Sequence, residues 1–225
     1  MTLRTLMRRA YFTASYHLHA RRRMSRIDET RLFGNLFLVP PGVFHPDLFY
    51  SSKALGGYLS TLPLRGKAAL DMGCGSGILA VLAAREGASV TAIDINPLAV
   101  RATRENASRN NVSVLTLGGN LFDPLAPESR FDYIFFNPPF YAGTPKDVPD
   151  MAWRAGESFE VMRGFLSEAP RYLRSSGSLI LVLSSEMPLP GIADLVCASG
   201  FSFERVRSKR APFEQLHIYR ASLLS

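Results

Sequence analysis

The 225-residue sequence has few cysteines and histidines, which limits the kinds of site that it can form. Its two cysteines, Cys74 and Cys197, belong to neither a CxxC pair nor a zinc-ligand spacing. Two of the four histidines, His17 and His19, would point in different directions on a helix and could not share a metal ion. The sequence therefore predicts no metal site, and this use of cysteine fits a reducing compartment such as the cytoplasm.

Long hydrophobic runs are also absent from the sequence. No uninterrupted apolar segment approaches the roughly 20 residues that a membrane-spanning helix needs. The hydrophobic content of 47% and the charged content of 20% are ordinary for a globular protein. We therefore expect a cytoplasmic globular protein with no membrane partner, consisting of one large domain and an appendage.

An excess of charge is confined to the amino terminus. Residues 1–31 contain eight arginines against two acidic residues, whereas residues 32–225 contain 18 basic and 17 acidic residues. Between Leu3 and Leu18, apolar residues recur at steps of three and four, which is typical of a helix. The pattern predicts a helical extension over residues 1–38 that acts as a lid on a domain spanning residues 39–225. An RNA contact, for which the charge is weak support, and a mitochondrial-type presequence are the alternatives.

From residue 67 onward, short apolar strands alternate with amphipathic helices. This alternation predicts an α/β fold in which helices cover both faces of a largely parallel sheet. Only a short turn, residues 208–212, separates the last two strands, so they must pair antiparallel. The predicted strands lie near residues 68–72, 89–94, 113–117, 131–136, 178–184, 201–207 and 214–221, and the helices near 51–62, 76–86, 97–110, 157–173 and 189–199.

A glycine-rich turn, residues 73–77, joins the first of these strands to a helix. Its GxGxG spacing lets the backbone turn sharply and approach a ligand closely. Asp71 precedes the turn, where its carboxylate could accept a hydrogen bond from a charged amino group. Asp94 ends the next strand, where it could bind two ribose hydroxyls. Either acid could instead be structural, although Asn96 is nearer than Asp94 to the expected helix cap.

The segment FFNPPF, residues 135–140, ends a further strand. Its two prolines prevent continued strand pairing, so the Asn137 carboxamide must lie at the tip of the sheet. The simplest structural interpretation is a strand terminator with an Asx turn. However, a long irregular segment, residues 141–156, follows directly and contains the only tryptophan. A loop of this length usually forms a lid or a binding surface.

Four motifs in this order, DMGCGSG, AIDINPLAVRATRENASRNNV, GGNLFD and FFNPPF, resemble those of the class I S-adenosylmethionine-dependent methyltransferases. The resemblance covers residues 39–185 and is greatest to the branch that carries NPPY or NPPF. It implies a Rossmann-like, seven-stranded, mostly parallel sheet with an antiparallel C-terminal hairpin. The cofactor, S-adenosylmethionine, would lie across the carboxyl ends of the strands. The implied cofactor-binding residues are Asp71, Gly73, Gly75, Gly77, Asp94, Ile95, Asn120, Leu121, Phe122 and Asn137.

The resemblance also implies a reaction. In this family, the asparagine oxygen and the carbonyl of the first proline accept the two N–H groups of a planar nitrogen, and the aromatic residue stacks on the acceptor. Asn137, Pro138 and Phe140 would have these roles here. The expected function is methyl transfer to a glutamine amide, a nucleobase amine or a small-molecule amine. Asn120 stands where many relatives have aspartate, which would weaken cofactor binding without abolishing it.

Two other functions are compatible with the same motifs. The azetidine-2-carboxylate synthases resemble methyltransferases, but in them the amine of S-adenosylmethionine itself attacks the chain carbon next to sulfur and expels methylthioadenosine. Such an enzyme would need no acceptor and would benefit from a helical lid. A subunit that binds S-adenosylmethionine without turnover is the second alternative, although an intact NPPF motif argues against it.

Overall fold

The computed structural model describes Arg23, residues 25–212 and residues 214–224. The strands are β1 (Asp28–Leu32), β2 (Asn35–Val39), β3 (Ala68–Met72), β4 (Ser89–Asp94), β5 (Val114–Gly118), β6 (Phe131–Phe136), β7 (Leu173–Ser184), β8 (Glu204–Arg210) and β9 (Gln215–Ala221). The α-helices are α1 (Tyr50–Leu59), α2 (Ile78–Arg85), α3 (Pro97–Arg109), α4 (Glu160–Tyr172) and α5 (Leu189–Ala198), and a 3-10 helix spans Pro149–Ala152.

The main sheet has seven strands in the order β5-β4-β3-β6-β7-β9-β8. Strands β3 to β7 pair parallel, whereas β9 pairs antiparallel with both β7 and β8. The predicted fold class is therefore confirmed. The predicted strand 201–207 is displaced, because Phe201 is buried and forms only an isolated bridge with Leu223, whereas the charged segment that follows pairs with β9.

Strands β1 and β2 form a separate antiparallel hairpin. This part of the predicted helical extension is thus β-structure and not helix. Two carboxamide side chains of α3 bind the hairpin through its backbone. Asn106 accepts a hydrogen bond from the Leu38 amide at 2.8 Å and donates one to the Leu38 carbonyl at 2.9 Å. Asn110 likewise accepts from the Leu36 amide at 3.0 Å and donates to the Leu36 carbonyl at 2.8 Å. The predicted helix over residues 3–18 lies outside the described residues, so the lid stays a prediction.

A hydrophobic core covers each face of the sheet. Helices α1 and α2 contribute to one core, and α4 and α5 to the other. Strand β7 serves both: Ile180 and Val182 point into the first core, and Leu179, Leu181 and Leu183 into the second. A strand buried on both faces is continuously apolar, as parallel sheets require. The packed sheet holds the carboxyl ends of β3, β4 and β6 rigidly along one edge.

Across the described ranges, no helix combines the length and the apolar character needed to cross a bilayer.

Candidate active site

A cavity of about 1000 Å³ lies along the edge of the sheet formed by the carboxyl ends of β3, β4 and β6. Its walls come from the connector 42–52, the glycine turn, the loop 141–156 and the turn between β8 and β9. The structure brings most of the predicted site residues together in these walls: Gly73, Gly75, Asp94, Ile95, Asn120, Leu121, Asn137, Pro138 and Phe140. Three predicted cofactor residues, Asp71, Gly77 and Phe122, are not part of the walls.

Two glycines of the turn line the cavity, and the third lies at a helix–helix contact. Gly73 and Gly75 adopt positive φ values of 67° and 55°, which glycine reaches without steric cost, and they bring the backbone to the cavity surface. Gly77 also has a positive φ, 80°, but it faces α3: a Cβ atom there would lie 2.9 Å from the Thr103 Cα atom. Gly77 therefore permits close packing of α2 against α3 and does not line the ligand cavity.

Asp94 links the glycine turn to the start of α3. Its Oδ2 accepts from the Gly75 amide at 2.8 Å, and its Oδ1 accepts from the Asn96 amide at 2.9 Å. Asn96, as predicted, caps α3 by accepting from the Leu98 amide at 3.0 Å. Burial raises the pKa of Asp94 against these backbone hydrogen bonds. Because each carboxylate oxygen can accept more than one hydrogen bond, Asp94 can still bind a pair of ribose hydroxyls.

Asp71 lies beneath the cavity and not in its wall. It is only 1% exposed, its Oδ2 accepts from the Ala80 amide at 3.0 Å, and its Oδ1 has no hydrogen-bond partner. Burial raises the pKa of Asp71 to about 8; the Ala80 amide opposes this rise, and the charge of Asp94 adds to it. Asp71 thus contacts the first turn of α2, where a carboxylate is favourable, and its contact with an amino group of the cofactor stays a prediction.

The segment after β5 contributes residues to both the cavity wall and the hydrophobic core. Asn120 and Leu121 line the cavity, and Leu121 has a left-handed φ of 46°, which is strained for a residue other than glycine. Phe122 is fully buried, with ring-centroid distances of 5.5 Å to Phe165 and 4.9 Å to Tyr172. The Phe122 ring therefore packs against α4 and does not line the cavity, and its contact with the cofactor stays a prediction.

Asn137 occupies the position expected from the prolines that follow it. Its Nδ2 donates a hydrogen bond of 3.1 Å to Oγ of Ser51, a buried residue on α1. The carboxamide oxygen is thereby left as an acceptor on a residue that lines the cavity together with Pro138 and Phe140. Sequence reasoning missed Ser51, because 86 residues separate it from Asn137 and no local pattern marks it.

An aromatic cluster forms the part of the wall opposite the sheet edge. The rings of Phe44, Phe49 and Trp153 contact one another with centroid distances of 4.3 to 4.9 Å. Phe44 lies over the glycine turn, with its Cβ atom 3.8 Å from the point where a Cβ on Gly75 would be. The cluster therefore joins the connector to the long loop above the cavity. Of the aromatic residues on that loop, Tyr141 also lines the cavity.

A network of partly buried charges around the buried His45 ring contacts the connector. His45 Nε2 lies 2.8 Å from Asp28 Oδ2, and Arg23 bridges Asp28 and Asp47 at 2.6 and 2.9 Å. Burial lowers the pKa of His45, and its Nδ1 accepts from the Asp47 amide at 3.3 Å. His45 is therefore neutral, with its proton on Nε2 directed at Asp28. Lys53 on α1 completes the network with a 2.7 Å ion pair to Asp47.

Residues 35–206 match the methyltransferase small domain family. The chain belongs to this family. Over 154 residues it is 34% identical to a ribosomal RNA small subunit methyltransferase C of Alcanivorax borkumensis, a match that covers 68% of this chain and 41% of the relative. Over 184 residues it is 29% identical to a Methanocaldococcus jannaschii protein provisionally named a protein N5-glutamine methyltransferase, covering 79% and 92% of the two chains.

A solved structure of the family gives a similar comparison. The T. thermophilus 16S ribosomal RNA N2-guanine methyltransferase, in complex with AdoMet and guanosine, superposes with a TM-score of 0.67 at 25% identity, covering 88% of this chain and 50% of that one. The chain thus spans about half the length of the ribosomal RNA relatives that it matches. The predicted family and its cofactor, S-adenosylmethionine, are confirmed, and these matches give no support to the cyclase alternative.

Proposed function

We propose that this chain is an S-adenosylmethionine-dependent methyltransferase acting on a planar nitrogen of RNA or of a protein glutamine. The observation that carries the proposal is the placement of Asn137. Its carboxamide lies in the cavity wall with the nitrogen bound to Ser51, so its oxygen is the free acceptor group. The two kinds of relative, one named for methylating N2 of a ribosomal RNA guanine and the other provisionally named for methylating N5 of a protein glutamine, have an acceptor nitrogen of this type in their names.

The residues in the cavity wall divide into a cofactor side and an acceptor side. On the cofactor side, Asp94 would bind the ribose, the backbone at Gly73 and Gly75 would pass beneath the methionyl chain, and Asn120 and Leu121 would flank the adenine. Their positions around one cavity support these roles. Bound S-adenosylmethionine would supply an activated methyl group on a sulfonium.

On the acceptor side, the protein orients a poor nucleophile. The Asn137 oxygen and the Pro138 carbonyl would accept the two N–H groups of the acceptor, which turns the developing lone pair toward the methyl carbon. Phe140 would stack on the acceptor plane. Methyl transfer would form the nitrogen–carbon bond as the carbon–sulfur bond breaks, with S-adenosylhomocysteine as the leaving group, and the methylated nitrogen would release its extra proton to water. Orientation of this kind can supply on the order of 7–11 kcal/mol of the barrier, and proline-fixed acceptors need little reorganisation.

Asn137→Ala tests the proposal. We would incubate the purified protein with S-adenosylmethionine and either unmodified ribosomal RNA or a glutamine-containing release-factor peptide, and follow S-adenosylhomocysteine by mass spectrometry. The variant should lose methyl transfer by about 100-fold or more, since it removes a positioned acceptor group, while its affinity for S-adenosylmethionine changes only a few-fold.

Two results would contradict the proposal. An unchanged rate of methyl transfer in Asn137→Ala would show that Asn137 has no part in the reaction. Binding of S-adenosylmethionine with no turnover on any planar-nitrogen acceptor would favour a subunit without activity.

We also propose that the protein works in the cytoplasm. Both cysteines are free thiols in the structure, Cys74 buried and Cys197 exposed, which fits a reducing compartment. Cell fractionation followed by immunodetection tests this, and recovery of the protein in an oxidising compartment would contradict it.

A further inference from the structure

The edge strand of the main sheet, β8, concentrates positive charge. Within its seven residues, ERVRSKR, it carries four basic side chains and one acidic side chain. Residues 32–225 contain 18 basic and 17 acidic residues in all, so without β8 the domain has 14 against 16. This single strand therefore reverses the sign of the net charge of the domain.

The direction of β8 brings this charge to the cavity. Strand β8 is antiparallel to β9, and β9 is antiparallel to β7, so β8 runs in the same direction as the parallel strands. Its carboxyl end consequently lies at the same edge of the sheet as the ends of β3 and β6. The turn that follows confirms this placement, since Ala211 and Pro212 line the cavity. The basic strand thus leads directly to the mouth of the proposed active site.

The basic side chains of β8 are available to a ligand. Arg205, Arg207, Lys209 and Arg210 are all exposed. In the part of the chain that the structure describes, none of them forms an ion pair with a carboxylate. Arg207 alone is bound internally, donating to the Gly57 carbonyl on α1 at 3.0 Å. Arg205, Lys209 and Arg210 therefore have no anionic partner among the described residues, and the last two directly precede the turn that lines the cavity.

We propose that β8 binds the phosphate backbone of an RNA acceptor and guides one of its bases into the cavity. This inference rests on the proposed function and selects RNA over protein glutamine as the substrate class. A bulge between Arg205 and Arg207 distributes the cations over both faces of β8, with Arg207 and Lys209 on one face and Arg205 and Arg210 on the other. Because they extend over about 15 Å of an exposed edge, they suit a polyanion with repeated phosphates better than a single acidic side chain. Phosphate contacts of this kind position a nucleic acid without reading its sequence.

Basic residues on an edge strand also prevent sheet-to-sheet aggregation. That role needs charge on the strand but no ligand, so direct binding measurements separate the two roles. The triple variant Arg205→Gln, Lys209→Gln, Arg210→Gln leaves Arg207 and its contact with α1 intact. The matched control, Arg65→Gln, Arg109→Gln, Arg130→Gln, removes the same charge from exposed positions at the opposite edge of the sheet, where Arg65 and Arg130 precede β3 and β6.

The measurement is fluorescence anisotropy of a labelled single-stranded ribosomal RNA fragment with the full chain over a range of salt concentrations. Each lost phosphate contact on a single strand lowers the slope of log K against log[salt] by about 0.7. We expect the β8 variant to lose about 2 units of slope and to bind on the order of tenfold more weakly at 0.1 M salt. The control should keep most of the wild-type slope, and both variants should bind S-adenosylmethionine normally.

Equal losses of RNA affinity in the β8 variant and the control would overturn the proposal, because the effect would then be one of total charge. An unchanged RNA affinity together with weaker binding of an acidic, glutamine-containing peptide would also overturn it, in favour of a protein partner. Because RNA binding is measured without turnover, these outcomes are independent of whether Asn137 supports methyl transfer.

Discussion

At the scale of single residues, the hydrogen bond between Ser51 and Asn137 would determine which end of the carboxamide the proposed active site presents to an acceptor. A carboxamide has an accepting end and a donating end, and only the accepting end suits an N–H group. With its nitrogen bound to Ser51 Oγ, Asn137 is fixed with the oxygen free. In the proposed function, Ser51 would thus be a positioning residue that contacts Asn137 and acts on the acceptor through it.

Replacing Ser51 by alanine should lower kcat about 5- to 10-fold, the equivalent of one hydrogen bond of roughly 1 kcal/mol. The affinity for S-adenosylmethionine should change little, so the split between kcat and the cofactor Kd is the measurement. Ser52→Ala is the matched control, because Ser52 is equally buried on the same helix and has no hydrogen bond to Asn137. Equal rate losses in the two variants would mean that the helix, and not the hydrogen bond, is responsible.

The buried carboxyl group of Asp71 makes stability depend on pH. Its pKa is about 8 in the folded protein and about 3.9 in an unfolded chain. Between these values the folded state holds more protons, so the free energy of unfolding falls as the pH rises. His45 has the opposite effect on the free energy of unfolding. Because its pKa is lowered in the folded protein, it reduces stability only below the ordinary histidine pKa of about 6.5.

The Asp71 effect is therefore best isolated between pH 6.5 and 7.5, because burial raises the pKa of the Cys74 thiol, and Cys74 adds a fall of the same sign as the pH nears about 8.5. Over this interval the Tm of the protein without ligand should fall with pH, and Asp71→Asn should reduce the slope because the amide does not titrate. Thermal unfolding followed by circular dichroism measures both curves. Parallel curves for the two proteins would show that Asp71 is already ionised in the folded state.

At the scale of elements, the contact between α2 and α3 depends on Gly77, which the family resemblance predicts to be a cofactor-binding residue. Gly77→Ala combines a left-handed φ with a Cβ atom 2.9 Å from the Thr103 backbone, and should destabilise the protein by about 2–5 kcal/mol. Gly34→Ala is the matched control: its φ of 74° is similar, but no atom lies within 4 Å of the added carbon. That variant should cost about 1–2 kcal/mol. Urea denaturation distinguishes them, and equal losses would assign the whole effect to φ.

Secondary-structure elements that are marked by a pattern within their own residues could be predicted from the sequence. Strands β3 to β7 follow from apolar runs, and the cap of α3 follows from Asn96. The hairpin β1–β2 could not be predicted, because what holds it is the pair Asn106 and Asn110, about 70 residues away on α3. The burial of Phe122 could not be predicted either. The residues next to it in the sequence do not indicate whether its side chain points toward the cavity or toward α4.

At the scale of the whole molecule, segments far apart in the sequence meet around the only tryptophan. Trp153 lines the cavity and contacts Phe44 and Phe49. Binding of S-adenosylmethionine or S-adenosylhomocysteine should therefore change the tryptophan emission in a saturable way. A titration at fixed protein concentration gives the Kd, and Asp94→Ala should shift the curve to higher ligand concentrations. An emission that does not respond to either ligand would place the bound cofactor away from Trp153.

The strand order has a consequence for how such proteins diversify. The proposed cofactor contacts come from β3, β4 and β5 on one side of the sheet, whereas the proposed acceptor contacts come from β6, the loop 141–156 and the tip of β8 on the other. The boundary between these halves runs between the neighbouring strands β3 and β6. Mutations on the acceptor half can thus accumulate while the inherited donor chemistry stays intact. We would therefore expect an exchange of the loop and the tip of β8 to change the methyl acceptor while the donor half of the cavity stays unaltered.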